Sequence, residues 1–259
     1  MGDFLRITSR DNSLIKLVCG LQSSARERRI SSLFVLEGLR ICLDALDNGI
    51  KFDKLIVSDS AYSKLSAEVE SFSFVAEKCY LLPDSLLEKI ACTNSPQGII
   101  AVARMPEVAG VINPDGRYIA LENLSDPSNL GAVARTAEAL GVSGILISRG
   151  SVDPYSPKAL RASMGTLIRM PIFVCDDLLA VINKNGLCPY ACVVDSDAKP
   201  INTIEFKNGD VLLVGNEANG LSETIKSAAQ RVTIPMSGRA ESLNAAVASA
   251  IAMWEMMKK

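Results

Sequence analysis

The sequence predicts a two-domain α/β protein whose second domain is built on a parallel sheet, and three observations lead there. Its 259 residues exceed the usual single-domain length without reaching that of three domains. A cluster of chain breakers, Pro106, Gly110, Asn113, Pro114 and Gly116, marks residues 105–116 as a linker between a domain at 1–104 and another at 117–259. Short apolar runs alternate with amphipathic stretches on both sides. Beyond the linker those runs are almost wholly apolar, the pattern of parallel strands covered on both faces.

In the first domain, Leu33-Phe-Val-Leu36 reads as a strand, Leu39 to Asn48 as a helix, Lys54 to Val57 as a strand and Ala61 to Glu70 as a helix. Tyr80 to Leu82, a helix opened by Pro83-Asp-Ser85, and a strand from Gly98 to Val102 complete a small α/β unit. In the second, strands are expected at Tyr118 to Glu122, Gly144 to Ile147, Ile172 to Val174, Ala191 to Val194, Val211 to Val214 and Val232 to Ile234. The last helix, Leu243 to Met257, repeats Leu243, Val247, Ile251, Trp254 and Met257 at helical spacing. That stripe is expected to pack on the core, with a subunit interface as the alternative.

Composition narrows the function. With 48% hydrophobic and 22% charged residues the chain can bury a sizeable core. A net charge of −2 argues against a general nucleic-acid coat, because neutralising phosphates leaves a basic excess. The first forty residues are nevertheless basic, with Arg6, Arg10, Lys16, Arg26, Arg28, Arg29 and Arg40 against Asp3, Asp11, Glu27 and Glu37, which points weakly to RNA. The 7 cysteines lack C-x-x-C spacing, so neither a disulfide framework nor a metal site is expected. No targeting or membrane-spanning segment is read, and a cytoplasmic protein is expected. Histidine is absent altogether, which excludes Ser-His-Asp and Cys-His chemistry. Any reaction must use an activated substrate or bases of another kind.

Three loops carry the chemistry. The first runs from the strand at Tyr118 through Asp126-Pro127-Ser128, turn and capping residues, into a helix with Asn129, Gly131 and Arg135. Gly131 and Arg135 share a face, leaving space beside the guanidinium; the plain alternative is a surface Arg135 paired with Glu138. In the second, Gly215-Asn216-Glu217-Ala218-Asn219-Gly220 follows a buried strand, where α/β folds bind ligands. Glu217 serves either that ligand or the cap of a helix starting near Ser222. In the third, Ile234-Pro-Met236 leads through Ser242-Leu243-Asn244 into the last helix; one of Ser242 and Asn244 can cap it, and both stand beside free amides. None of these is a dinucleotide or P-loop fingerprint.

In order and spacing these segments resemble the motifs of the SpoU/TrmH family of RNA ribose 2′-O-methyltransferases: Asn129-x-Gly131-x-x-x-Arg135, then Gly215-Asn-Glu217-x-x-Gly220, then Ile234-Pro-Met236 with Ser242-Leu-Asn244. The stretch Arg161-Ala-Ser-Met-Gly-Thr-Leu-Ile-Arg-Met-Pro171 extends the likeness across the second domain. Ala218 departs from it, standing where many relatives have glycine. Less specifically, Ile7-Thr-Ser-Arg10, Phe34-Val-Leu-Glu37-Gly38 and Pro96-Gln97-Gly98 make the first domain similar to the RNA substrate-binding domain of the rRNA-modifying branch.

The resemblance implies a C-terminal trefoil knot, a homodimer whose site draws on both subunits, and S-adenosylmethionine as methyl donor. It places Gly215, Asn216, Gly220, Ile234, Met236 and Leu243 around that cofactor. Arg135 takes the position of the family's catalytic arginine, with Asn129, Glu217, Ser242 and Asn244 as its companions. A guanidinium with a pKa above about 12 suits positioning of RNA phosphate and stabilisation of a developing oxyanion better than proton removal. Arg161, Arg10, Arg26, Arg28 and Arg29 are candidates for RNA phosphates, large-subunit rRNA being preferred to tRNA. The rival readings are a catalytically silent RNA-binding or ribosome-associated module and a small-molecule methyltransferase.

Overall fold

In the computed structural model, which describes residues 3–106 and 110–258, the chain divides into two units, Met1–Glu107 with Tyr155–Arg169, and Val108–Pro154 with Met170–Lys259. Residues 107–109 of the expected linker lie outside the described residues. The division departs from the expected uninterrupted domain at 117–259, because the segment Tyr155–Arg169 is grouped with the first unit. Its anchors there are physical: the Tyr155 ring lies 5.0 Å from that of Phe34, and Arg169 pairs with Asp44.

The first unit contains β1 (Phe4–Arg6), α1 (Ser13–Ser23), α2 (Ala25–Ser31), β2 (Leu33–Glu37), α3 (Leu39–Asp47), β3 (Phe52–Ser58), α4 (Asp59–Lys64), α5 (Ser66–Val75), β4 (Ala76–Leu82), α6 (Asp84–Ile90) and β5 (Ile99–Arg104). Its sheet has the order β1-β4-β3-β5-β2, with β5 antiparallel to both neighbours. The sequence reading missed β1, α1 and α2. Polar caps start both helices: Asn12 Oδ1 accepts from the Leu14 amide at 2.9 Å and Ser24 Oγ from that of Glu27 at 3.2 Å. The single helix expected over Ala61 to Glu70 is two, because Leu65 leaves helical geometry at φ −119° and ψ 43°.

In the second unit, β6 (Tyr118–Leu121) leads into α7 (Pro127–Leu140) and β7 (Gly144–Ser148). The excursion carries α8 (Pro157–Ser163) and α9 (Thr166–Arg169); the chain then returns as β8 (Ile172–Cys175), α10 (Leu178–Lys184), β9 (Cys188–Cys192) and β10 (Lys199–Pro200). It ends with β11 (Asp210–Val214), α11 (Glu223–Ala228), β12 (Gln230–Thr233) and α12 (Ala245–Met257). All six pairings are parallel, in the order β10-β12-β9-β11-β6-β7-β8. From β6 the chain builds outward to β8 and then resumes on the other side, so the order reverses between β6 and β11. Ligands of open parallel sheets lodge outside the carboxyl ends of strands near such a reversal.

Asp126 caps α7, its Oδ1 accepting from the Ser128 amide at 2.8 Å, and Pro127 supplies the first turn. α7 packs against α12. The face of α12 turned inward is made of Ala245, Ser249, Ala252, Met253 and Met256. The stripe expected to pack on the core points elsewhere: Val247, Ile251 and Trp254 are 48%, 37% and 61% exposed. The spacing was right and its destination wrong, because α12 is apolar on nearly every side and small residues serve the close helix-helix contact.

Candidate active site

Three neighbouring parallel strands, β12, β9 and β11, set the site. The loops leaving their carboxyl ends wall a single cavity of about 570 Å³: Cys192–Asp195 after β9, Gly215–Leu221 after β11, and Ile234, Met236 and Ser242–Ala245 after β12. The turn after β11 is closed on itself, the Asn216 and Gly220 amides each donating to the other's carbonyl at 3.0 and 2.9 Å. The Asn216 side chain braces it, Oδ1 accepting from the amides of Ala218 and Asn219 while Nδ2 donates to the Asn123 carbonyl at 2.8 Å. Gly215 is required sterically, since a Cβ there would stand 2.1 Å from the Gly220 carbonyl carbon.

Glu217 ties this turn to the loop after β6. One carboxylate oxygen accepts from the Ser125 amide at 3.1 Å and its hydroxyl at 2.7 Å, the other from the Asp126 amide at 3.2 Å and Asn129 Nδ2 at 2.8 Å. Partial burial of the carboxylate pulls its pKa up, but the hydrogen bonds from Ser125 and Asn129 outweigh it and hold the group at about 2. Asn129 in turn accepts from Asn244 Nδ2 at 3.1 Å, and Asn244 Oδ1 caps α12 through the amides of Ala246 and Val247. A continuous polar chain thus joins the loops after β6 and β11 to the start of α12.

Both capping questions are answered here. Asn244, not Ser242, caps α12. Ser222 caps α11 itself, leaving Glu217 to its four donors. The six residues assigned to the cofactor all line the cavity, together with Glu217, Ser242 and Asn244. Asn129 is buried and joins through its hydrogen bonds. Arg135 does not line it: it stands exposed on α7, one turn beyond the buried Gly131, and among the described residues makes no side-chain hydrogen bond or ion pair. The sequence reading missed Glu122, whose carboxylate accepts from the Ser222 amide at 2.7 Å, and Asn123, which takes φ 52° and donates its amide to Ser148 Oγ. The available signal was a polar run directly after a wholly apolar strand.

Arg10, Arg26, Arg29 and Arg161 are exposed in the first unit, Arg161 beside the Cys92 thiol. Arg28 is not. It is 3% exposed, and its guanidinium donates to the Leu21 and Gln22 carbonyls at the end of α1. It is withdrawn from the RNA candidates because it satisfies helix-end carbonyls that would otherwise be orphaned.

The SpoU rRNA Methylase family profile matches residues 116–254. The chain belongs to that family. The MRM3-like substrate binding domain profile matches residues 12–101 of this SpoU family member. The chain is 30% identical to an uncharacterized tRNA/rRNA methyltransferase of Synechocystis over 99% of its length and 95% of the relative's. It is 27% identical to the 23S rRNA (guanosine(2553)-2′-O)-methyltransferase RlmP of Bacillus subtilis, over 89% of this chain and 91% of the relative. The crystal structure of an AdoMet-bound rRNA methyltransferase from Sinorhizobium meliloti aligns with a TM-score of 0.87 and 29% identity, covering 98% of both chains.

Proposed function

We propose that this SpoU family member methylates a ribose 2′-hydroxyl of large-subunit rRNA with S-adenosylmethionine, in the cytoplasm and as a homodimer. The observation that carries the reading is the single cavity walled by three carboxyl-end loops and braced through Glu217, Asn129 and Asn244. Its volume suits a small-molecule cofactor, for which sites of about 300–1,000 Å³ are usual. Its lining suits this one: apolar Val214, Leu221, Ile234, Met236 and Leu243, with Asp195 and Glu241 against Lys226, match an aromatic base joined to a zwitterionic, cationic sulfonium. When bound, S-adenosylmethionine supplies an activated methyl group, and histidine is then dispensable. Gly215, Asn216, Gly220, Ile234, Met236 and Leu243 would hold it, Ser242 and Asn244 standing at the cavity's rim.

Arg135 is proposed as the residue that orients the RNA phosphate and stabilises charge developing on the 2′-oxygen. Its place outside the cavity of its own subunit agrees with a site completed by a second copy. The exposed apolar stripe of Val247, Ile251 and Trp254 on α12 is the surface on which that copy would dock. A C-terminal knot is supported by the chain path: β9 and β10, consecutive in sequence, flank β12, which is made later. Arg161, Arg10, Arg26 and Arg29 would contact RNA backbone.

The test is transfer of labelled methyl from S-adenosylmethionine to unmodified rRNA and tRNA, offered separately. Label is expected in rRNA. The Arg135→Ala variant is expected to lose about 100- to 1,000-fold in turnover, the scale for one oxyanion-stabilising group, with cofactor binding intact. RNA that shifts on a gel yet takes no label would favour the silent binding module. Wild-type turnover in Arg135→Ala would remove that residue from the mechanism.

A further inference from the structure

The residue that fixes the cavity wall after β9 lies outside all three loop motifs. Val232 of β12 pairs with Cys192 of β9 on one side and with Lys199 of β10 on the other. The connection 193–198 must therefore carry the chain across a strand that comes later in sequence, over roughly 10 Å, two strand spacings. Arg231 lies beneath that crossing. Its Nη1 donates to Asp195 Oδ2 at 3.0 Å and its Nη2 to Asp197 Oδ2 at 2.5 Å, so one guanidinium on β12 holds two carboxylates of the connection. The first half of the same connection, Val193, Val194 and Asp195, lines the cavity.

Within this wall Val193 packs against the buried core, but Val194 is 59% exposed and gives the stretch beyond it no apolar anchor. Among the described residues one backbone hydrogen bond ties the connection to a neighbouring strand, the Val193 amide donating to the Val232 carbonyl, while the Ala198 amide donates to the Asp195 carbonyl within the connection itself. A planar, permanently charged fork is suited to gripping two carboxylates at once, which an ammonium does less well. Hydrogen bonding to Arg231 also holds the Asp197 carboxyl below its ordinary range.

We propose that Arg231 is a positioning residue for the methyl donor: by clamping Asp195 and Asp197 it preorders the wall Val193–Asp195, so that cofactor binding does not have to order it. The inference rests on the cavity being the S-adenosylmethionine site. Half-exposed ion pairs contribute little to global stability, so the clamp should show in binding and local order instead of in melting.

The experiment is calorimetric titration of S-adenosylmethionine into the full-length protein and its Arg231→Met variant, with hydrogen exchange of amides 193–198 followed in both. The variant is expected to bind about tenfold more weakly, within the usual range for coupling between two sites, and to exchange those amides faster. KM for S-adenosylmethionine should rise with kcat at saturation unchanged. Arg231→Lys should recover part of the loss, and Asp197→Asn, which removes one arm only, should lose less than Arg231→Met. If Arg231→Met does not fold, the Asp197→Asn titration decides: unchanged affinity overturns the clamp. Wild-type protein that binds no S-adenosylmethionine overturns the cavity reading itself. Wild-type binding matched by an equally tight Arg231→Met variant overturns only the role of Arg231.

Discussion

Replacing Glu217 by glutamine keeps the side chain's shape and removes its charge, in a setting built to hold that charge. The carboxylate accepts from the Ser125 amide and hydroxyl, the Asp126 amide and Asn129 Nδ2. The amide of glutamine would turn an NH2 toward one pair of those donors. A depression of the pKa from its ordinary 4.5 to about 2 corresponds to roughly 3 kcal/mol in favour of the folded, ionised form. The residue as a whole is exposed, so solvent screening reduces this to about 1–2 kcal/mol. The folded pKa lies below the unfolded one. The stabilisation is therefore complete above pH 4.5 and is lost as pH falls through about 2. Urea unfolding of wild type and Glu217→Gln at a series of pH values should show a gap of that size near neutrality that narrows below pH 4.5. A gap that is absent at neutrality, or that keeps its size in acid, would refute the reading of Glu217 as an ionised pin between the loops.

Other changes test other parts of the molecule. Gly215→Ala would drive a Cβ to within 2.1 Å of the Gly220 backbone, and should cost about 1–3 kcal/mol as overpacking and abolish cofactor binding measured by calorimetry. Trp254→Glu places a charge in the exposed stripe of α12 and should convert a sedimenting dimer to monomer; a wild-type monomer, or a variant that stays dimeric, would remove α12 as the interface. Neutralising Arg26 or Arg29 should each lower the slope of log binding constant against log salt for RNA by about one. Neutralising the buried Arg28 should leave that slope alone and instead lower the melting temperature.

How far the sequence could be read depended on the physics of each element. Four of the six strands expected in the second unit stand nearly where they were expected, because strands covered on both faces are largely apolar, as Val211-Leu-Leu-Val214 is. Two are displaced toward the N-terminus, β9 running Cys188–Cys192 where Ala191 to Val194 was expected and β12 running Gln230–Thr233 where Val232 to Ile234 was expected, since the polar Gln230 and Arg231 give no apolar signal. β10 escaped because Lys199-Pro200 carries no such signal, and its pairing depends on β12 far along the chain. The apolar stripe of α12 was visible, but its side was not, since periodicity cannot choose between two apolar faces. Arg28 looked like its neighbours Arg26 and Arg29, and only the end of α1 packed beside it reveals its use. The residues assigned to the cofactor were legible through the likeness of the three loops to the SpoU/TrmH motifs, since Ile234, Met236 and Leu243 carry no polar signal of their own. The partners of Glu217, Ser125 and Asn129, were not, because they sit about ninety residues away in a loop whose proximity depends on the pairing of β11 with β6.

The most direct test concerns the atom that receives the methyl. Unmodified large-subunit rRNA would be incubated with the purified protein and methyl-labelled S-adenosylmethionine, then digested to nucleosides and separated. Label is expected in one 2′-O-methylnucleoside, in a linkage that resists alkaline cleavage. Label confined to a base-methylated nucleoside, or RNA left unlabelled by protein that binds S-adenosylmethionine, would contradict the proposed ribose methyl transfer.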